Sequence, residues 1–323
     1  MNGLKIECPA INKDVDSRKR DLKESIKDWI YSDALVKLIE VFGGNIPENM
    51  EFYEYVSYIN DFAEIWDYRK NQNVSGERWT VKDNDMVLKN IDIILHSAEK
   101  LGLMGLEEPT VIPDYILPLG GARLTNYTRP QLAKSIIDAN SDMNIQVVAL
   151  TGKRPINEIE LEYLAEYAPN ASTEYDAMCG GIEKVFGLEM EDYVETNFVT
   201  SNLNMQWSIR NYDKKYINSN IVVLAAPSTD ESRRANSYDT FKFFLEKFNI
   251  IEGNKVLLVT SGIYAPFQLL KFMSIALEKN IYVDCVGLNN KRPGSAFNKP
   301  ANYCQEIKAT INAIKMLTDL YWQ

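Results

Sequence analysis

The chain has 323 residues, 46% of them hydrophobic and 25% charged, with a formal net charge of −10 and a pI of about 4.9. This length exceeds one typical domain, so we expect two domains of ordinary globular composition. The acidic balance excludes general affinity for nucleic acid or anionic membranes, because both need clustered Lys and Arg.

The cysteines and the histidine limit the chemistry further. The four cysteines, Cys8, Cys179, Cys285 and Cys304, show no CxxC spacing and are typical of reduced thiols. With the single histidine His96, neither a histidine-based metal site nor a Ser-His-Asp triad is expected. No apolar leader and no run of about 18 apolar residues occurs. We therefore expect a cytoplasmic protein without a metal site, to which Mg²⁺ comes only with a phosphate ligand.

Residues 14–105 carry helical periodicity and few strand patterns. One helix is predicted from Asp16 to Gly43, and a second, rich in aromatic residues, from Glu48 to Arg69. The aromatic side chains favour core packing or a homodimer face over a ligand groove. We predict a helical N-terminal domain at 1–108 and an α/β domain at 109–323.

From Asp114 onward strand-like and helical segments alternate. Five short runs are almost continuously apolar: 115–117, 146–150, 221–225, 255–259 and 281–286. Such runs with helices between them indicate a parallel sheet of about five strands, covered on both faces. Residues 188–220 are predicted to be an insertion near the site rim, in which Gln206–Tyr212 alternates like an exposed strand. A closing helix is predicted from Tyr303 to Tyr321.

The segment from Tyr115 to Pro130 predicts a strand, a glycine turn and a helix start. Gly120-Gly121 lets the backbone turn sharply and approach a ligand closely. Thr128 and Gln131 have the spacing of a capping box. Free N–H groups at such a helix start would bind an anion together with nearby arginines, although a purely structural turn fits the same pattern.

Glycine, hydroxyl, amide or cationic groups follow the five predicted strands. Ligands bind beyond the carboxyl ends of the strands in an open parallel sheet, so we expect these groups to converge on one cleft. The candidate ligand-binding residues are Gly120, Gly121, Arg123, Arg129, Gly152, Lys153, Arg154, Ser228, Arg234, Asn236, Thr260 and Ser261. The arginines and the lysine indicate an anionic small molecule carrying phosphate or carboxylate.

Acidic residues near the same strand ends offer an enzymatic alternative. Glu160, Asp176 and Asp239 each follow a capping residue by three positions, which explains them as helix-capping acids, whereas Glu174 escapes that explanation. The catalytic candidates are Glu174, Asp176 and Asp239, for hydrolysis or group transfer on a phosphorylated or nucleotide substrate, with the arginines stabilising charge. The phosphate-binding patterns GxGxxG and GxxxxGK[ST] are absent.

Residues 112–290 resemble the ElyC/SanA/YdcF family of bacterial proteins. The similarity begins with Leu119-Gly120-Gly121, followed by Arg123 and Arg129, which look like the family's opening strand, glycine pair and arginine-bearing helix. Thr151-Gly152-Lys153 stands where the family usually has Ser-Gly-Gly, and Glu160 stands for the acid that follows.

Two later segments extend the resemblance. Arg234–Asp239 is similar to the family's Asn-Thr-x-Glu helix start, and Val259-Thr260-Ser261 with Tyr264 to its Val-Thr-Ser and Tyr-His segment. The family's His and following Arg appear here as Ala265 and Gln268. SanA-like members carry a membrane anchor, which we do not expect in this chain, and the helical N-terminal domain looks like an independent addition.

The resemblance implies a Rossmann-like fold and a nucleotide-type ligand, by analogy with the member that binds S-adenosylmethionine. Three functions follow as hypotheses. The first is a protein that binds an anionic, nucleotide-like small molecule at the strand ends. The second is the hydrolase or transferase described above. The third is an interaction protein that uses its aromatic N-terminal helices.

Overall fold

The computed structural model describes residues 3–72, 80–290 and 299–323. Its helices, numbered in chain order among these residues, are α1 (Val15–Ile30), α2 (Asp33–Val41), α3 (Phe52–Phe62), α4 (Tyr68–Asn71), α5 (Asp85–Lys89), α6 (Ile91–Lys100), α7 (Thr125–Asp138), α8 (Leu161–Leu164), α9 (Glu174–Phe186), α10 (Ser237–Lys247), α11 (Ala265–Ala276) and α12 (Pro300–Tyr321). Its strands are β1 (Tyr115–Pro118), β2 (Gln146–Thr151), β3 (Tyr193–Phe198), β4 (Trp207–Tyr212), β5 (Ile221–Ala225), β6 (Lys255–Ser261) and β7 (Tyr282–Leu288).

The seven strands form one mostly parallel sheet in the order β3-β4-β5-β2-β1-β6-β7. Strands β5, β2, β1, β6 and β7 are parallel to one another, whereas β4 is antiparallel to both β3 and β5. The expected α/β class is therefore confirmed, and the expected count of about five strands is wrong. The two additional strands come from the segment that the sequence predicts as an insertion. They extend the parallel sheet as a hairpin at one edge.

Both faces of the parallel strands are buried, which is why these strands are almost continuously apolar. Successive residues alternate between two hydrophobic clusters: Val147 and Ala149 belong to the cluster containing α7 and α9, and Val148 and Leu150 to the cluster containing α10 and α11. Helices α7 and α9 approach each other closely, because a Cβ on Gly181 would lie 1.9 Å from the carbonyl oxygen of Asn126.

The N-terminal helices pack on α12 and continue the cluster that contains α10 and α11. The predicted first helix is divided into α1 and α2, because the side chain of Ser32 accepts a hydrogen bond from the backbone N–H of Leu35 and caps a new helix. Most rings of the aromatic segment are packed inside, with Trp66 and Tyr68 buried. The apolar core is thus continuous across residue 108. The domain boundary and the homodimer face stay predictions.

The order of the strands reverses at β1. The chain proceeds from β1 to β2 and β5 on one side, and then to β6 and β7 on the other. The connections after β1 and β6 therefore diverge, which opens a crevice beyond their carboxyl ends.

The described residues contain no helix that is both long enough and apolar enough to cross a membrane. The four cysteines are free thiols, and burial raises the pKa of Cys179 to about 12. Within residues 3–72, 80–290 and 299–323, no three His, Cys, Asp or Glu side chains form a group that could hold a metal ion.

Candidate functional site

A cleft of about 720 Å³ opens at the carboxyl ends of β1, β2, β5 and β6. This volume lies within the range of about 300 to 1,000 Å³ that is common for small-molecule sites. Ten of the sequence-predicted residues line it: Gly120, Gly121, Arg129, Gly152, Lys153, Arg154, Glu174, Arg234, Asn236 and Thr260. The starts of α9, α10 and α11 contribute to the same lining.

The cleft is cationic, although the protein carries a net charge of −10. In the described part of the chain, the lining contains one carboxylate, that of Glu174, and six cationic side chains: Arg69, Arg129, Lys153, Arg154, Arg234 and Lys271. A surface of this kind attracts anions.

Arg154 holds two carboxylates together beside the cleft. Its guanidinium lies 2.7 Å from Glu160 Oε2 and 3.0 Å from Glu174 Oε2. Burial opposes ionisation of Glu160, but hydrogen bonds from Arg154 and from the backbone of Asn157 hold the pKa of Glu160 below its ordinary value. The second oxygen of Glu174, Oε1, accepts a hydrogen bond from Thr151 Oγ1 at 2.9 Å. Arg154 is therefore engaged by the protein itself.

The glycine turn after β1 also uses its polar groups internally. The N–H of Gly120 donates to the carbonyl oxygen of Leu150, and the N–H of Gly121 donates to Asn126 Oδ1. Arg129 is buried below the turn and donates to the carbonyl oxygens of Leu119 and Gly120 at 2.6 and 2.7 Å. The amide anion seat expected at Gly120-Gly121 is therefore closed.

The following helix starts earlier than predicted. Helix α7 begins at Thr125, and Thr128 donates its hydroxyl to the carbonyl oxygen of Leu124 instead of capping the helix. Arg123 does not line the cleft. Its φ of +58° turns the chain, its N–H donates to Glu160 Oε1, and its guanidinium lies 4.8 Å from the ring centroid of Tyr163.

The acids Asp176 and Asp239 lie outside the cleft lining and serve as helix caps. Asp176 accepts hydrogen bonds from Ser172 and Thr173. Asp239 is buried, which alone would raise its pKa. Hydrogen bonds from Arg233, from the backbone N–H of Asn236 and from Thr229 nevertheless lower the pKa of Asp239 to about 2.

Asn236 lines the cleft and is also the N-cap of α10. Its Oδ1 accepts from the backbone N–H of Asp239 at 3.1 Å, and its own N–H donates to Asp239 Oδ2. The capping role is thus present, and a ligand role for the same amide stays a prediction.

Two predicted hydroxyl residues and one predicted loop are not brought into the cleft. Ser228 Oγ accepts from the N–H of Asp230, and Ser261 Oγ accepts from Arg129. The end of β7 contacts the connection from the N-terminal helices, because the N–H groups of Gly287 and Asn290 donate to the carbonyl oxygens of Leu106 and Met104. The described residues that follow β7 do not line the cleft.

Two cations of the cleft were missed in the sequence, Arg69 on α4 and Lys271 on α11. Lys271 Nζ lies 3.4 Å from Met316 Sδ and 5.9 Å from the ring centroid of Phe267, and no carboxylate of the described residues lies within ion-pair distance. Burial lowers the pKa of Lys271. A lysine one turn after Phe267 and Gln268 in a largely apolar helix is a sequence pattern that could have indicated it.

Two polar groups on the same wall have unused hydrogen-bonding capacity. Thr260 Oγ1 and Gln268 Oε1 are buried and have no hydrogen-bond partner among the described residues. A buried polar atom left without a partner costs about 1 to 3 kcal/mol. A ligand that supplies the partner recovers part of that cost.

Comparison with known proteins adds relatives without an assigned activity. Residues 13–102 match the family model of the Rv3785 N-terminal domain. The uncharacterised proteins Rv3785 of Mycobacterium tuberculosis and Mb3814 of Mycobacterium bovis are each 26% identical over 338 residues, covering 97% of this chain and 94% of the relative. No solved structure matches. The helical region and the sheet region thus occur together in these relatives.

Proposed function

We propose that the protein binds an anionic, nucleotide-like small molecule in the cleft at the carboxyl ends of β1, β2, β5 and β6. The observation that carries this proposal is the charge of the lining, with six cationic side chains and one carboxylate among the described residues of an acidic protein. Arg129 and Arg154 serve mainly to shape the site. Arg69, Lys153 and Lys271 are then the cations that we assign to the ligand, and Arg234, which lines the same cleft, stays a predicted ligand-binding residue.

The order of the strands supports the same proposal. The parallel strands follow the order β5-β2-β1-β6-β7, and the reversal of direction at β1 supports the Rossmann-like fold that we propose for this sheet. The volume of the cleft, about 720 Å³, exceeds what a single phosphate ion needs and suits a nucleotide-sized molecule. S-adenosylmethionine stays a candidate through the resemblance to the ElyC/SanA/YdcF family.

The second candidate function is hydrolysis or group transfer on a phosphorylated or nucleotide substrate. One observation favours it: Glu174, in the cleft lining, lies between Thr151 and Arg154 at the start of α9. The capping acids Asp176 and Asp239 drop out of this proposal because neither of them lines the cleft. Glu174 would act as a base or orient a nucleophile, and Lys153 and Arg234 would stabilise developing negative charge.

A calorimetric and thermal-shift screen tests both functions. The panel comprises ATP, ADP, S-adenosylmethionine, sugar phosphates and inorganic phosphate, each with and without Mg²⁺. The proposal that the ligand binds in the cleft is supported if Lys153→Ala weakens binding and Lys89→Ala does not. Lys89 is the control because it lies exposed on α5 and does not line the cleft. Turnover that Glu174→Gln abolishes would establish the second function. No binding across the panel would refute the first.

A further inference from the structure

The N-terminal helical region contributes a side chain to the cleft. Arg69 on α4 lines the cleft together with residues from the strand ends, although it precedes β1 by more than 40 residues. The described residues place no carboxylate within ion-pair distance of its guanidinium.

Helix α4 is fastened to α12, which fixes where Arg69 lies. The backbone N–H of Arg69 donates to Gln305 Oε1 at 3.3 Å. Lys308 of α12 forms ion pairs with Asp67 at 2.7 Å and with Glu64 at 3.1 Å. Tyr68 is buried. An arginine held by its own backbone and by flanking ion pairs loses less conformational entropy on binding than one on a mobile loop.

Cations reach the cleft from both sides of the sheet. Arg154 is bound to Glu174 at the start of α9, in the layer that α7 and α9 form. Arg69 and Lys271 belong to the layer that contains α11, α12 and the N-terminal helices. The rim of the cleft is thus built jointly by the sheet and by the helical region.

We propose that Arg69 is a ligand-binding residue by which the helical region recognises a second anionic group, so that the ligand carries at least two such groups and bridges both layers. A nucleoside di- or triphosphate has this chemistry. The inference rests on the proposed function and deepens it. It also gives the helical region a role in the site.

The test uses the full chain, with ATP and inorganic phosphate as the probes. In calorimetric titrations at low ionic strength we expect Arg69→Ala to reduce the affinity for ATP about tenfold or more. The affinity for inorganic phosphate should change less than twofold. Lys70→Ala is the matched control, because Lys70 has the same charge on the same helix and lies outside the lining. Arg69→Lys should recover part of the loss. Amide exchange of residues 62–72 should slow with ATP in the parent protein and not in Arg69→Ala.

The contrary outcomes separate the two proposals. Equal losses in Arg69→Ala and Lys70→Ala would overturn the role of Arg69 and leave the cleft intact, because the effect would then be one of general surface charge. If Arg69→Ala reduces the affinity for ATP and for inorganic phosphate by the same factor, the proposal that the ligand bridges both layers is overturned. If the parent protein binds neither probe, the proposed function fails, and this inference with it. If Arg69→Ala has a lower melting temperature than Lys70→Ala, the same titrations are made with Arg69→Gln, which keeps a longer polar side chain at this position.

Discussion

The neighbours Lys153 and Arg154 give the sharpest separation of binding from stability in this structure. Both follow β2, both line the cleft, and the sequence predicts both as ligand-binding residues. Arg154 is nevertheless engaged by Glu160 and Glu174, whereas Lys153 Nζ lies 4.4 Å from the ring centroid of Tyr175 and forms no ion pair with any described residue. We expect Arg154→Met to destabilise the fold and Lys153→Met to reduce the affinity for the ligand.

The magnitude follows from what each substitution leaves behind. Glu160 is fully buried, so removing Arg154 leaves an uncompensated buried charge, which costs about 3 to 5 kcal/mol. Lys153 is half-buried and pairs with no carboxylate in the part of the chain that the structure describes, so we expect its removal to change the free energy of unfolding by less than about 1 kcal/mol. A charge-assisted hydrogen bond between Lys153 and the ligand would contribute about 1.5 to 3 kcal/mol to binding, so Lys153→Met should weaken the affinity by one to two decades.

Chemical denaturation measures the free energy of unfolding, and calorimetric titration measures the affinity for the probe that the screen identifies. The pH dependence adds a further check. The folded-state pKa of Glu160 lies below its ordinary value, so its stabilisation is present above the unfolded pKa and is lost as the pH falls through the folded one. The loss of stability in Arg154→Met relative to its parent should therefore be larger at neutral pH than in acid. An Arg154→Met protein as stable as its parent would refute the reasoning.

Three further predictions concern other residues of the cleft. Lys271→Met should raise the free energy of unfolding by about 0.5 to 2 kcal/mol and weaken anion binding, because it removes a desolvated charge whose pKa is lowered. Denaturation and calorimetric titration measure the two effects, and a variant in which stability and affinity both rise or both fall would contradict this. Asn236→Ala should cost about 0.5 to 2 kcal/mol of stability and Asn236→Ser little, as denaturation will show; an affinity for the ligand that Asn236→Ser leaves unchanged would assign Asn236 to capping alone. Gly120→Ala should cost about 1 to 3 kcal/mol in the same assay, because its Cβ would lie 2.5 Å from Glu174 Oε1; an unchanged midpoint would show that Glu174 moves freely.

The parallel strands could be predicted because burial on both faces leaves a direct trace in the sequence. Val147, Val148 and Ala149 are all buried, and so form an uninterrupted apolar run. Strand β3 leaves no such trace. Most of its side chains are exposed, and it is held by backbone pairing with β4, to which any residue type contributes. The start of α2 was missed for a different reason, since Ser32 acts as a cap within a segment that is otherwise consistent with one helix.

The candidate site was predictable to the extent that strand ends share one edge of the sheet. This argument placed Gly120, Lys153 and Thr260 together without knowledge of any side-chain packing. It could not tell which cations stay available to a ligand. Arg154 and Lys153 are adjacent, and their difference depends on Glu174, which is brought to the turn by a helix about 20 residues later.

The same limit explains why the helical region was assigned no part in the site. The position of Arg69 depends on ion pairs between α12 and the residues before α4, which lie about 240 positions apart in the chain. No local pattern records such an interaction. Yet the relatives match both regions in one alignment, and the apolar core runs without interruption from the N-terminal helices to α11. If Arg69 binds the ligand as we propose, the shared core has a functional consequence, because any change in how the helices pack on α12 would move Arg69 relative to the strand ends.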